Sequence, residues 1–145
     1  MFVRKVMSSP VVSVTASATI LEAAQRMRAH DIGALLVFDD NRPIGFLTDR
    51  DIIMRALAAA EIIPGLESVV KDIMSPDILA CFEDQDVTAA AALMGDRQVR
   101  RLLVIDRSGV PVGILSLGDI AEHVSEELAG QVLGEISEER ARSGF

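Results

Sequence analysis

The chain has 145 residues, and half of them are apolar, which is enough for a substantial core and excludes a disordered protein. Lysine and arginine together number 14 against 22 acidic residues, and the resulting net charge of −8 argues against broad contact with nucleic acid or an anionic membrane. Trp and Tyr are absent and only five Phe are present, so aromatic platforms for stacking single-stranded bases are scarce.

Cysteine usage and the N-terminal segment favour a cytoplasmic protein. Cys81 is the only cysteine, which excludes a disulfide within the chain and a metal cage built from several thiolates. The first ten residues lack the apolar core of a signal peptide, and no run of about 18 apolar residues occurs. We therefore expect a protein that is neither exported nor inserted into a membrane.

The sequence contains an internal repeat. A shift of 67 residues superposes identical residues, and one extra residue in a turn then changes the shift to 68. The identities at the first shift are Met7-Ser8 with Met74-Ser75, Ala23-Ala24 with Ala90-Ala91, Met27 with Met94, Leu35-Leu36-Val37 with Leu102-Leu103-Val104, and Asp39 with Asp106. The identities at the second shift are Pro43, Gly45, Leu47, Asp51 and Ile52 with Pro111, Gly113, Leu115, Asp119 and Ile120.

Each copy begins with a predicted strand and an amphipathic helix. The strand is short and rich in β-branched residues, at 11–14 in the first copy and 78–81 in the second. The helix that follows carries apolar residues at i, i+3, i+4 and i+7, which is the stripe of a helix packed on a core. Thr19 and Glu22 resemble a capping box at the start of the first helix.

Each copy continues with two strands joined by a turn and ends with a second helix. The strands are predicted at 33–38 and 44–48 in the first copy and at 101–105 and 112–116 in the second. The second helices begin near Asp51 and Asp119. The inward-facing positions are expected to be Ile52, Ile53, Ala56 and Leu57 in the first copy and Ile120, Ala121 and Val124 in the second.

The predicted fold class is α+β, with two tandem β-α-β-β-α repeats. A unit of about 60 residues buries too little surface to be stable alone, so we expect the copies to pack with pseudo-twofold symmetry and to leave a cleft. Residues 1–66 are assigned to repeat 1 with its linker at 61–68, and residues 67–129 to repeat 2. Residues 130–145 are assigned to a charged helical tail, which begins as a helix near Glu126 and is expected to be mobile.

Two segments resemble a known signature. Residues 45–51, Gly-Phe-Leu-Thr-Asp-Arg-Asp, and residues 113–119, Gly-Ile-Leu-Ser-Leu-Gly-Asp, resemble the Gly-h-h-Thr/Ser-x-x-Asp signature of cystathionine-β-synthase (CBS) domains. Each stands at the same place in its repeat, and the resemblance covers about residues 3–128. It implies a stand-alone Bateman module, a pair of CBS domains that binds AMP, ADP, ATP or S-adenosylmethionine and dimerises into a flat disc.

The signature residues suit a nucleotide ligand. The hydroxyls of Thr48 and Ser116, at the strand-to-helix junctions, lie beside the first free N–H groups of the helices, where a phosphate is favoured. Asp51 and Asp119, one turn later, can each accept hydrogen bonds from both hydroxyls of a ribose. The alternative is a helix capping box, since Thr-x-x-Asp and Ser-x-x-Asp also have that pattern.

Family geometry implies that each ligand touches both copies. Carried over, Val12 and Ile32 pair with Ser116 and Asp119. In the same way, Leu79 and Val99 pair with Thr48 and Asp51. The alternative for the four apolar residues is an ordinary role in the core.

Three arginines are candidates for phosphate contacts. Arg100 and Arg101 stand where the first copy has Gly33 and Ala34, and Arg101 matches a position at which relatives hold phosphate with a basic residue. The planar guanidinium group can donate two hydrogen bonds to a phosphate. Arg50 adds a charge in the first copy that Gly118 cannot supply in the second, so the two sites are not equivalent. The alternative is that these arginines are solvated or pair with nearby acids.

The predicted function is that of a regulatory module which senses adenylate state and acts through a partner protein or an oligomer. The regulatory ligand is an adenine nucleotide or S-adenosylmethionine, and no cofactor or metal is expected. A homodimer is predicted because helix faces such as Ile52, Ile53 and Leu57 exceed what two small repeats can cover. Two alternatives are a structural dimerisation unit with vestigial sites and an enzyme acting through Asp51 or Asp119. The second lacks a convergent base, nucleophile and oxyanion donor.

Overall fold

The computed structural model describes residues 1–58 and 68–142. They fall into two compact units, one formed by Val12–Ile78 and the other by Met1–Val11 together with Leu79–Phe145. We name them the repeat-1 unit and the repeat-2 unit. Most of the predicted linker and the last three residues of the predicted tail lie outside the described residues.

The repeat-1 unit is a three-stranded sheet with helices. Strand β1 runs parallel to β2, and β2 runs antiparallel to β3, in the order β1-β2-β3. The elements are β1 Ser13–Thr15, α1 Ile20–His30, β2 Ala34–Asp39, β3 Arg42–Thr48, α2 Asp49–Asp51 continued by a π-helix at Ile52–Leu57, and α3 Val70–Ile73.

The sheet of the repeat-2 unit has the same topology, and a helix at Glu126–Arg142 follows the second helix of its repeat. The sheet has the order β4-β5-β6, again with a parallel pair followed by an antiparallel pair. The elements are a 3-10 turn at Val3–Lys5, β4 Ala80–Phe82, α4 Val87–Arg97, β5 Arg101–Ile105, β6 Pro111–Ser116, α5 Leu117–His123 and α6 Glu126–Arg142. The predicted fold class, two tandem β-α-β-β-α repeats, is confirmed.

Local sequence explains where the first helix of each unit begins and ends. The Thr19 hydroxyl accepts a hydrogen bond from the Glu22 N–H at 3.1 Å, and the Glu22 carboxylate accepts one from the Thr19 N–H at 3.0 Å, which confirms the capping box. Asp86 caps α4 through the Thr88 N–H. Both helices end at a residue in the left-handed conformation, Asp31 and Gln98.

The predicted apolar stripes form the cores. Ile20, Ala23 and Met27 are buried in the repeat-1 unit, and Val87, Ala90, Ala91 and Met94 are buried at the corresponding positions of the repeat-2 unit. They pack against the middle of the central strand, where Leu35 and Leu102 are inaccessible to solvent. Each fully buried aliphatic side chain of this size contributes about 1.5–3 kcal/mol.

The compact units do not coincide with the sequence repeats. Met7-Ser8 opens the first copy in the sequence, but it lies on β6, where Ser8 and Ile114 exchange two backbone hydrogen bonds at 2.9 and 3.0 Å. Met74-Ser75 opens the second copy, but it lies on β3, where Ser75 and Phe46 exchange bonds at 2.8 and 3.0 Å. Each Met-Ser segment therefore completes the sheet edge of the repeat that it does not begin.

The glycine of each signature makes room for a Met-Ser segment. A Cβ on Gly45 would collide with the carbonyl oxygen of Ser75, and a Cβ on Gly113 would lie 2.6 Å from the Met7 Sδ. Any side chain at these positions would push the segment away from the strand. The signature glycine is thus explained by close packing of two backbones.

The predicted tail differs from expectation, because α6 packs on the repeat-2 unit. Ala129, Val132 and Ile136 are buried and belong to the same core cluster as α4 and α5. Their spacing of three and four residues forms an apolar stripe within a charged segment. The prediction of a mobile tail was therefore wrong for this stripe, since the sequence reasoning gave weight to the charges and overlooked the periodicity.

The second helix of repeat 1 also departs from the prediction. Ile52 and Ala56 are buried, whereas Ile53 and Leu57 are 56% and 47% exposed. The segment is a π-helix, in which the Ala58 N–H donates to the Ile53 carbonyl oxygen, five residues earlier. A wider turn rotates side chains away from the faces that α-helical spacing assigns to them.

None of the helices in the described part of the chain combines the length and the apolar character that crossing a bilayer requires.

Replacing Gly45 by Ala should destabilise the repeat-1 unit, since the new methyl group meets backbone that cannot rotate away. We expect a loss of about 1–3 kcal/mol in the free energy of unfolding, measured by urea denaturation. Gly134→Ala, at a helical glycine with no atom within 4 Å of the Cβ position, is the control and should raise stability by up to about 1 kcal/mol. Equal behaviour of the two variants would contradict the packing role of Gly45.

Candidate functional site

Thr48 and Asp51 form a reciprocal capping box at the end of β3. The Thr48 hydroxyl accepts from the Asp51 N–H at 3.1 Å, and Asp51 Oδ2 accepts from the Thr48 N–H at 3.0 Å. The Ser75 hydroxyl donates to the same carboxylate at 3.3 Å, and Arg55 Nε lies 3.9 Å from Oδ1. Asp51 is only 7% exposed, so its charge is held in place by these donors.

Ser116 and Asp119 repeat this arrangement at the end of β6. The Ser116 hydroxyl accepts from the Asp119 N–H at 3.1 Å, and Asp119 Oδ2 accepts from the Ser116 N–H at 2.9 Å. The Ser8 hydroxyl donates to Oδ1 at 3.0 Å. Asp119 is half-buried, and it is more accessible than Asp51. The capping alternative for both signatures is therefore present in the structure, and it uses only part of each carboxylate.

Ser8 and Ser75 are site residues that sequence reasoning missed. Each belongs to a Met-Ser segment and reaches the signature aspartate of the unit on which that segment lies. Their identity at a shift of 67 was visible in the sequence. The aspartate that each serine contacts was not visible, because in the sequence each serine belongs to one repeat and its aspartate to the other.

Arg101 stands directly beside Ser116. The two residues are paired across β5 and β6, and the Leu117 N–H donates to the Arg100 carbonyl oxygen at 2.9 Å, which ties the start of β5 to the start of α5. In the repeat-1 unit, Thr48 is paired with Ala34 instead, and Arg50 is exposed on α2. The structure therefore brings a basic residue to the second junction and an alanine to the first.

Arg100 and Arg101 line a cavity of about 590 Å³ in the repeat-2 unit. Ser116, Leu117 and Gly118 share this wall. The Arg101 side chain is half-buried, and it makes no hydrogen bond or ion pair with the side chains that the structure describes. A half-buried guanidinium group that pairs with none of the described side chains is suited to an anion.

The four apolar candidates lie at the edges of the cores. Val12 and Ile32 are half-buried against the repeat-1 core, and Leu79 and Val99 against the repeat-2 core. Val12 and Leu79 make equivalent backbone contacts in the two units. Their carbonyl oxygens accept hydrogen bonds from N–H groups of the central strand at 3.1 and 2.9 Å, respectively. The predicted pairing of the four apolar residues with signature residues joins different units and stays a prediction.

Comparison with known proteins identifies the family. The model of the CBS domain matches residues 3–58 and 70–126. The chain belongs to the CBS domain family. The two matched ranges coincide with the two copies of the repeat, so the chain carries two CBS domains.

Several CBS proteins of similar length resemble it. CBS domain-containing protein YhcV of Bacillus subtilis is 35% identical over 136 residues, which cover 93% of this chain and 94% of the relative. Hypoxic response protein 1 of Mycobacterium tuberculosis is 36% identical over 137 residues, 92% of each chain. The crystal structure of Hypoxic Response Protein I with two coordinated zinc ions superposes with a TM-score of 0.70 at 35% identity, covering 86% of this chain and 99% of that one.

A further solved structure is the CBS domain pair of protein MJ0100 in complex with 5-methylthioadenosine and S-adenosyl-L-methionine. It superposes with a TM-score of 0.71 at 26% identity, over 84% of this chain and 94% of that chain.

Cys81 and His123 are two further residues whose side chains could carry chemistry. Cys81 is 3% exposed, and burial raises the pKa of its thiol to about 11, so it packs as a small hydrophobic residue. His123 lies 3.6 Å from Glu122 on the surface of α5. Within residues 1–58 and 68–142, no three His, Cys, Asp or Glu side chains are grouped as a metal site would require.

Loss of a signature carboxylate should destabilise the fold. Asp51→Ala removes the acceptor of the Thr48 N–H and the Ser75 hydroxyl, and we expect it to lower the free energy of unfolding by about 1–3 kcal/mol. Asp119→Ala should lower it by about 1 kcal/mol, because water can reach the groups it leaves unpaired. Asp77→Ala, at an exposed aspartate, is the control in urea denaturation. If Asp51→Ala were as stable as the control, the capping box would not contribute to folding.

Proposed function

We propose that this CBS pair is a regulatory module that binds an adenosine-containing ligand of the AMP, ATP or S-adenosylmethionine class. It senses adenylate state and passes ligand occupancy to a partner protein or a second copy. The proposal rests mainly on Asp119, a half-buried carboxylate that is positioned by the fold and keeps unused acceptor capacity.

The acceptor count of Asp119 supports a ribose contact. An ionised carboxylate has about four lone-pair positions. The protein fills two of them, with the Ser116 N–H and the Ser8 hydroxyl. Two lone-pair positions of Asp119 remain, and the two hydroxyls of a ribose could donate to them. Hydrogen bonds to a charged acceptor are strong. Asp51 has more protein donors and less exposure, so we expect the second signature to bind more tightly than the first.

Arg101 supports a phosphate contact next to the ribose. It neighbours Ser116, which is also the capping partner of Asp119. The acidic chain, with a net charge of −8, repels anions in general, so an anionic ligand needs a local basic site of this kind. The similarity to the MJ0100 pair, whose complex holds 5-methylthioadenosine and S-adenosyl-L-methionine, also supports an adenosyl ligand.

We expect binding without turnover. Burial raises the pKa of the Cys81 thiol, which makes it a poor nucleophile, and the acceptor positions that remain on Asp119 are those proposed for the ribose hydroxyls. A structural dimerisation unit with vestigial sites remains the alternative, and the absence of any adenosyl ligand binding in calorimetry would favour it.

The ligand experiment uses adenosine, AMP and ATP with native protein and Arg101→Ala. Native protein should bind AMP or ATP with a Kd of about 1–100 μM, as suits metabolite sensing. Arg101→Ala should cost the nucleotides about 1–3 kcal/mol and adenosine almost nothing, because only the phosphates meet the guanidinium group. Isothermal calorimetry measures this, and the loss should shrink at high salt.

Arg107→Ala is the matched control for the ligand experiment. Arg107 pairs with Asp84 at 2.8 Å and stacks on Phe82, outside the Arg101 cavity. If Arg101→Ala lost the same binding free energy for all three ligands, Arg101 would stabilise the fold and not contact the phosphate. Conversion of the nucleotide, followed by chromatography, would overturn the proposal of binding without turnover.

We also propose that the chain forms a homodimer through the helices of repeat 1. Leu21, Ile53, Met54 and Leu57 are 45–56% exposed on α1 and the π-helix. In the repeat-2 unit, the corresponding helices α4 and α5 are covered by α6. The uncovered apolar surface of repeat 1 is of the kind that a second copy buries in a twofold dimer.

Native protein should sediment at about twice 15.6 kDa at tens of micromolar. Ile53→Glu should shift it to the monomer, because it places a charge in the apolar contact. Val110→Glu, at an exposed apolar residue in the β5–β6 turn, should leave the dimer intact. A native monomer at this concentration would refute the dimer.

A further inference from the structure

Helix α6 follows the second repeat in the chain and packs on the core of the repeat-2 unit. Ser125 caps its first turn by accepting from the Leu128 N–H at 3.2 Å. Ala129, Val132 and Ile136 bury one face. On α4, the Glu135 carboxylate lies over Gly95. The N-terminal cap and the buried face together define how α6 packs on this unit.

Helix α6 contributes to the lining of the cavity that contains Arg101. Part of the lining consists of Arg100, Arg101 and Ser116, at the start of β5 and the end of β6. Another part consists of Glu126, Gly130 and Leu133 on the first two turns of α6. The volume of about 590 Å³ lies in the range of small-ligand sites.

The side chains of this lining fit an anionic ligand with an apolar part. Arg101 makes no hydrogen bond or ion pair with the described side chains, so its guanidinium group in the cavity lining is available to an anion. Leu133 is 41% exposed although it lines the cavity, which offers apolar surface to a ligand. Gly130 is exposed too, with no atom within 4 Å of its Cβ position, so it keeps this part of the lining open.

We propose that α6 is the second wall of the ligand site, and that an anionic adenosyl ligand held by Arg101 keeps α6 docked. This inference rests on the proposed adenosyl-binding function and names the element that responds to the ligand. A ligand that touches both walls binds better when α6 is docked, and by linkage it must then stabilise docking by the same factor. Ligand binding would then determine whether α6 is ordered on the repeat-2 unit, and a partner protein could bind the ordered helix selectively.

The two open glycines of α6 provide a matched pair of variants. Gly130 lines the cavity, whereas Gly134, one turn later, does not, and neither has a neighbouring atom within 4 Å of its Cβ position. Gly130→Leu and Gly134→Leu both improve helix propensity. Only the first adds a side chain to the cavity. Circular dichroism and the melting temperature verify that both variants fold.

Calorimetry with AMP and amide hydrogen exchange of α6 test the inference. Gly130→Leu should weaken AMP binding at least tenfold, and Gly134→Leu should stay within twofold of native protein. AMP should slow α6 exchange at least tenfold in native protein and in Gly134→Leu, but not in Gly130→Leu. Native-like AMP affinity in Gly130→Leu, or α6 exchange that AMP does not change, would overturn the role of α6 and leave the proposed function intact.

Failure of the proposed function has a different signature. If native protein binds neither AMP, ATP nor S-adenosylmethionine, the adenosyl proposal fails, and inorganic pyrophosphate then probes the cavity alone. Pyrophosphate binding that slows α6 exchange in native protein and is lost in Gly130→Leu would support α6 as the wall of an anion site. Absence of pyrophosphate binding as well would overturn it.

Discussion

The reciprocal hydrogen bonds between a signature aspartate and the residue that ends the last strand organise each unit of this protein. In the repeat-2 unit, Asp119 bonds the Ser116 N–H and the Ser8 hydroxyl. A single carboxylate thus joins the end of β6, the start of α5 and a Met-Ser segment from the beginning of the chain. Asp51 makes the equivalent bonds in the repeat-1 unit. The exact position of each helix start depends on this one side chain.

The same carboxylates explain how stability and the proposed binding are related. A side chain that is already fixed by protein donors loses little further freedom when a ligand binds, which favours affinity. It also means that a substitution at the carboxylate affects folding and binding together. A residue such as Arg101, which has no described side-chain partner, separates the two effects and reports on the ligand more directly.

The two CBS domains share a topology but have diverged in their surroundings. Repeat 2 has Arg101 beside its signature serine and α6 against its helices, whereas repeat 1 has Ala34 beside Thr48 and an uncovered apolar helix face. In the proposed function, this divergence separates two roles along one chain. Repeat 2 would bind the charged ligand, and the exposed apolar helix face of repeat 1 would contact a second copy.

The repeat, the β-α-β-β-α order and the core stripes follow from the amino-acid sequence, because these depend on periodicity and on identities between the copies. The sequence also located the capping residues Thr48, Ser116, Asp51 and Asp119, since capping is local and acts over three residues. The hydrogen bonds from Ser8 to Asp119 and from Ser75 to Asp51 could be found only in the folded chain, because each Met-Ser segment packs on the repeat that it does not begin. The same is true of the docking of α6 and the outward position of Ile53. The apolar stripe of α6 is present in the local spacing, but the surface that it buries against is formed only by the folded unit. The outward position of Ile53 follows from a π-helical turn, which α-helical spacing does not predict.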